Sequence, residues 1–226
     1  MKKFVFLIFL LSFFSCNKIS ESQVEVDAVQ EVLNFYNGEC KKSKGVSLVN
    51  GTKSNNYQLE ISKSDLLNQD SKYLKFHSGN IAYLFYSNLN EEKANYDEIK
   101  VKINLSNGES HDYSYSDKEL IEIESLLRKL IKIEKFIKEK DFESLSSEFD
   151  ESLNVERKNI EDLFVTLENQ YGKASSFQFQ GFEFADSNNF GQLIVVKEVL
   201  MFEKVNATIL LIFNRKTKNL IAIEFP

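Results

Sequence analysis

Among its 226 residues the chain has no tryptophan, two cysteines, two histidines and one proline, Pro226, at the very end. Cys16, Cys40, His77 and His111 are too few and too scattered to assemble a familiar zinc set, so no metal and no cofactor is expected. No Gly-x-Ser-x-Gly elbow and no glycine-rich phosphate loop occurs. The acidic run Asp141, Glu143, Glu148, Asp150 and Glu151 lacks the Asp-x-Asp-x-Asp-Gly spacing of a calcium loop, and reads as a solvated face. Positive charge is also short: 28 Lys and Arg face 34 Asp and Glu, a formal charge of −6. That balance argues against a nucleic-acid partner, which needs a basic face to displace counterions. After the first sixteen residues no long apolar run remains to span a bilayer. His111-Asp112 is no acid–base pair, because neighbours on a strand point to opposite faces. No catalytic residue is therefore assigned.

What is present begins at the first residue. Lys2 and Lys3 form a positive n-region and Phe4 to Phe14 a short apolar h-region, while Ser15 puts a small residue directly before Cys16. That order reads as an export signal over residues 1–15, with Cys16 as the new N-terminus. It resembles a bacterial lipoprotein signal, which implies acylation (palmitate among the chains) of Cys16 and a tether to the membrane over residues 16–22. An ordinary secretory signal and an uncleaved anchor are the alternatives. Because Asn17, not Asp, follows the cysteine, the resemblance points to the outer membrane of the cell envelope. With Cys16 lipidated, Cys40 has no disulfide partner within the chain and is expected to pack rather than react.

Two α+β segments follow. In residues 23–116, Ser22-Gln-Val-Glu25 is a capping box that opens a helix carrying Ala28, Val29, Val32, Leu33 and Tyr36. Alternation on both sides of Asn50-Gly51 predicts a hairpin. Ser64 to Leu89 reads as one broken helix or two, interrupted at Ser78-Gly79-Asn80. Ile99 to Leu105 and His111 to Tyr115 alternate as strands around Asn107-Gly108.

In residues 117–226, a second capping box, Ser116-Asp-Lys-Glu119, opens a long helix with Leu120, Ile123, Leu127, Leu130, Ile131 and Ile137 in one stripe. Asp141 is expected to cap a short helix and Asn154 a third, which ends at Tyr171-Gly172. Four strands close the chain. In Phe177 to Phe184 the alternation shifts phase at Gly181, which predicts a β-bulge and a curved sheet.

Three helices before a curved four-stranded antiparallel sheet resemble the nuclear transport factor 2-like, or cystatin-like, cone. The resemblance rests on Phe142-Glu-Ser-Leu-Ser-Ser-Glu-Phe149, Leu167-Glu-Asn-Gln-Tyr-Gly172 and the bulged phenylalanine strand. It implies a pocket within the cone, which in some relatives holds a catalytic acid or tyrosine; Phe177, Phe179, Phe182 and Phe184 are expected to fill it instead.

The strand Leu193 to Phe202 is apolar on both faces except at Lys197 and Glu198, so its second face needs a cover. The candidates are residues 17–116, a second copy in a homodimer, or a protein partner. The leading functional expectation is a lipid-anchored envelope protein acting as a non-enzymatic binding module. A small hydrolase or isomerase using the cone cavity, and an inhibitor or immunity-type lipoprotein, are the rivals.

Overall fold

A computed structural model describes residues 21–49 and 51–226. The export signal and Cys16 lie outside the described residues. Among those described, the fold is mixed α+β, with two four-stranded sheets and helices between and around them.

The first sheet grows out of local signals. The Ser22–Glu25 capping box is formed and starts α1 (Gln23–Tyr36), which buries Ala28, Val29, Val32 and Tyr36. β1 (Glu39–Val49) and β2 (Thr52–Ser62) pair antiparallel, with Val49 opposite Thr52. β3 (Glu98–Asn104) joins β2 in parallel, and β4 (Ser110–Ser116) pairs antiparallel with β3. A parallel pair needs a long crossover, and residues 63–97 supply it. That crossover contains α2 (Asp65–Gln69), a 3-10 turn at Ser71–Tyr73 and α3 (Leu74–Asn88).

The expected interruption at Ser78-Gly79-Asn80 is overturned, because α3 runs through it unbroken and buries all three residues. The reason is tertiary. A Cβ at Gly79 would stand 2.4 Å from the Phe182 carbonyl oxygen, and one at Gly181 would stand 2.0 Å from that of Phe76. Glycine is therefore set by the close approach of two backbones, which outweighs its modest cost inside a helix.

The second half begins at α4 (Asp117–Glu139), opened by the Ser116–Glu119 capping box. Its buried stripe is Leu120, Ile123, Leu126, Leu130, Ile133 and Ile137. Ile131, expected inside, is 63% exposed, because a 3.6-residue period places Ile133 and not Ile131 under the core face. α5 (Phe142–Ser146) takes its cap from Asp141. α6 (Arg157–Tyr171) starts after Glu156 without a side-chain cap; Asn154, the expected cap, instead ends a 3-10 turn in the left-handed conformation.

β5 (Ala174–Ser187), β6 (Gly191–Phe202), β7 (Asn206–Asn214) and β8 (Leu220–Glu224) form an antiparallel meander. The register slips between Phe179 and Gly181, so the bulge lies where the phase shift placed it. One continuous apolar cluster runs from Ala28 in α1 to Leu220 in β8, and α3 packs along β5. On the doubly apolar strand Lys197 is met from within the chain by Asp70 and Tyr73, and Gly181 on the neighbouring β5 is met by Phe76.

Candidate functional site

Four polar constellations stand out against this core. Buried polar groups in folded proteins are normally paired within the protein, so an unpaired one beside open volume marks a candidate site.

The first joins the two halves. Lys197 Nζ on β6 donates to Asp70 Oδ2 at 2.8 Å and lies 3.8 Å from the Tyr73 ring centroid. His77 Nε2 meets the same carboxylate at 3.1 Å, and the Tyr36 hydroxyl lies 3.3 Å from His77 Nδ1 while accepting from Asn80 at 2.9 Å. Nε2 facing a carboxylate carries the proton, so the Tyr36 hydroxyl donates toward the His77 carbonyl oxygen and the unprotonated Nδ1, both at 3.3 Å. Burial lowers the pKa of His77 despite the Asp70 hydrogen bond. Burial pushes Asp70 up, but Lys197 and His77 outweigh it and hold the carboxyl below its ordinary range. With His77 only 1% exposed and Asp70 at the edge of solvent, this Tyr–His–Asp–Lys chain is a structural strut whose groups satisfy one another.

The second lies at the head of α1. Glu25, 2% exposed, pairs with Lys44 at 2.7 Å, accepts from the Tyr96 hydroxyl and closes the capping box through the Ser22 amide. Burial alone would raise its pKa, yet these partners outweigh it and lower it. A cavity of about 300 Å³ opens beside this pair, lined also by Val46, Asn55 and Asn95. Its acid is already neutralised.

The third is inside the second sheet. Glu198 on β6 is 1% exposed, flanked across the sheet by Phe179 and Ile209. Its carboxyl is hydrogen-bonded to that of Glu134 on α4, and one oxygen, Oε2, has no partner among the described residues. Burial first, then the neighbouring Glu134 charge, pushes the Glu198 pKa up to about 9, so the carboxyl holds its proton at neutral pH. Phe182 in the adjacent strand is fully buried and Phe177, Phe179 and Phe184 pack against the same core.

The fourth is the open one, and it lies between the sheets. Its cavity, about 390 Å³, is walled by Lys72 and Tyr73 from the 3-10 turn, by Leu74, Lys75 and Phe76 from the start of α3, by His111 and Tyr113 from β4, and by Glu183 from β5. His111 and Tyr113 are two apart on one strand and therefore share a face. The bulge at Gly181 sets the side of β5 on which Glu183 emerges, opposite Phe182. His111 Nε2 is buried with no hydrogen-bond partner; the nearest carboxylate, Glu109, is 3.9 Å away. Burial raises the pKa of Glu183 against the opposing pull of Lys75, and burial together with the Glu183 charge raises that of Tyr113. The cleft thus offers a ring nitrogen, a phenol, a carboxyl group with raised pKa and two ammonium groups around a mostly aromatic wall.

Strand alternation separates the faces of His111 and Asp112 but carries no sign of the nearness of His111 to Glu183. No sequence signal brings His111 on β4 to Glu183 on β5, 72 positions later in the chain. Cys40 is half-buried against the core, and burial pushes its thiol up to about 11, which leaves little thiolate at neutral pH. The acidic run is used locally: Asp141 and Asp150 cap turns and Glu148 pairs with Lys129 at 2.8 Å. Among the described residues no group of three or more His, Cys, Asp or Glu is placed to hold a metal, and no helix is long and apolar enough to cross a membrane.

No family model and no curated protein matches the chain. Among solved structures, Bd1075 of Bdellovibrio bacteriovorus is similar at 17% identity with a TM-score of 0.33, over 78% of this chain and 62% of that one. The chain thus spans less than two thirds of Bd1075, and a likeness this loose supports no inference.

Proposed function

We propose that this chain is a lipid-anchored protein of the bacterial cell envelope, tethered by acyl chains on Cys16 in the outer membrane, which binds a small ligand without transforming it. The leader pattern, with Ser15 before Cys16, supports the anchor. In this reading α4, α5 and α6 over the curved β5–β8 sheet form a cystatin-like cone with a filled interior. The ligand seat is the cleft between the sheets. The observation that carries it is His111, whose Nε2 has no hydrogen-bond partner, in the wall of a cavity of about 390 Å³, within the usual size of small-molecule sites.

The anchor is tested by the intact mass of protein extracted from its native membrane, beside Cys16→Ala. A mass from Cys16 onward plus acyl chains, absent in the variant, supports the tether; an unacylated mass overturns it.

A second reading is favoured by one observation, the unpartnered oxygen of Glu198 in the cone. A neutral carboxylic acid there would serve as a general acid for a hydrolase or isomerase. Esterase turnover of 4-nitrophenyl acetate that Glu198→Gln abolishes would replace binding with catalysis; turnover indifferent to that change would remove this reading.

A further inference from the structure

We propose that the cleft between the sheets takes a small monoanionic carboxylic acid carried on an apolar or aromatic body, its carboxylate held by Lys75, Lys72 and His111. This inference rests on the cleft being the binding seat, and names the chemistry that the seat selects.

Charge comes first. The lining carries two ammonium groups, Lys72 and Lys75, and one carboxyl, Glu183, which leaves a single net positive charge even with Glu183 ionised. Among the described residues neither lysine has a carboxylate within ion-pair distance. Lys72 lies 4.5 Å from the Tyr73 ring centroid, and Lys75 is close enough to Glu183 to act on it only through space. A monoanion completes that balance, whereas a dianion exceeds it.

Hydrogen bonding comes second. His111 Nε2 lacks a partner, and Glu109, at 3.9 Å, is out of hydrogen-bond reach. The His111 side chain is 40% exposed, so a turn of its ring brings Nε2 from its buried, unpaired position to a carboxylate oxygen in the cleft, which supplies the missing partner when the nitrogen carries a proton. Burial raises the pKa of Glu183 against the pull of Lys75, so taking up a proton beside an incoming anion costs it less than it would an exposed glutamate.

Shape comes third. Tyr73, Leu74, Phe76 and Tyr113 make the rest of the wall apolar and aromatic, which suits the body of an organic acid rather than a bare, strongly hydrated anion such as phosphate. Charge-assisted hydrogen bonds to the carboxylate then give orientation, and the aromatic wall gives contact area.

The test uses the full chain in detergent, titrated with benzoate, with its neutral isostere benzamide and with inorganic phosphate. Binding is read by calorimetry and by the ring nitrogen signals of the two histidines, His77 serving as an internal control because it is sealed in the strut. The expected result is saturable benzoate binding that shifts His111 and leaves His77 unmoved. Benzamide should bind at least about tenfold more weakly, and Lys75→Gln should lose benzoate affinity by about tenfold, the scale of one charge-assisted contact. Lys75 is exposed, so that variant keeps its fold, as its melting curve will verify. Benzamide binding as tightly as benzoate, with His111 shifting, would overturn the anionic class while leaving the cleft as the seat. Phosphate outcompeting benzoate at His111 would do the same. If no probe moves His111, both the ligand class and the cleft as binding seat fall.

Discussion

Glu198 shows how a single side chain ties stability to pH. Its carboxyl is buried beside Glu134 and its pKa is raised to about 9, well above the 4.5 of an exposed glutamate. A raised acid favours the folded state fully at pH below its unfolded pKa, and that contribution is lost as the pH rises through the folded pKa. The protein should therefore lose stability steadily between about pH 4.5 and about pH 9. Glu198→Gln should flatten that slope and exceed the wild type increasingly toward the alkaline end; urea melts across this range check it.

The Asp70–Lys197 pair carries a different asymmetry. Lys197 is 4% exposed and Asp70 lies at the edge of solvent. Asp70→Ala leaves an ammonium group buried without a partner and should cost on the order of 3 kcal/mol. Lys197→Met keeps the packing, leaves Asp70 bonded to His77, and should cost less than about 1 kcal/mol. Equal losses in the two variants, measured by urea unfolding, would mean that the strut acts through packing alone.

At the scale of elements, local chemistry decides where helices begin and tertiary contact decides where they continue. The two capping boxes and the Asp141 cap were legible because a cap is a contact between residues three apart. The continuity of α3 was not, because Gly79 reads as a breaker until β5 is seen lying against it. Gly→Ala inside a helix ordinarily stabilises by roughly 1 kcal/mol. Here Gly79→Ala should instead destabilise by about 1–3 kcal/mol, as overpacking does, because its methyl group would stand 2.4 Å from the Phe182 carbonyl oxygen. Calorimetric melting of that variant reads the sign directly. Ile131 has a local reason instead: one residue past Leu130 is about 100° round the helix, so the stripe that buries Leu130 and Ile133 turns Ile131 outward.

Across the whole molecule, the two α+β segments share one apolar cluster, and the crossover helix of the first sheet also packs on the edge of the second. Folding of residues 23–116 alone would expose the side of α3 that meets β5, together with Asp70 stripped of Lys197. The full chain is therefore expected to unfold in a single calorimetric transition, with van 't Hoff and calorimetric enthalpies equal. Two resolved transitions would show that the segments are independent.

The same connectivity explains what could be read of the candidate site beforehand. His111 and Tyr113 could be assigned to one strand face from alternation, and the bulge at Gly181 told which residues of β5 change sides. Alternation, caps, turns and the export leader are relations within a few residues, and physical chemistry at that range is written in the order of the chain. The neighbours of His111 are not: Glu183 and Lys75 reach the cleft because the β2–β3 crossover threads α3 between the sheets. Burial of Glu198 beneath α4 and the seal of His77 by Lys197 depend on the same long-range packing. Desolvation, close backbone approach and open volume arise only when distant segments meet, so the tertiary structure alone decided which polar groups were consumed by the core and which were left facing a cavity.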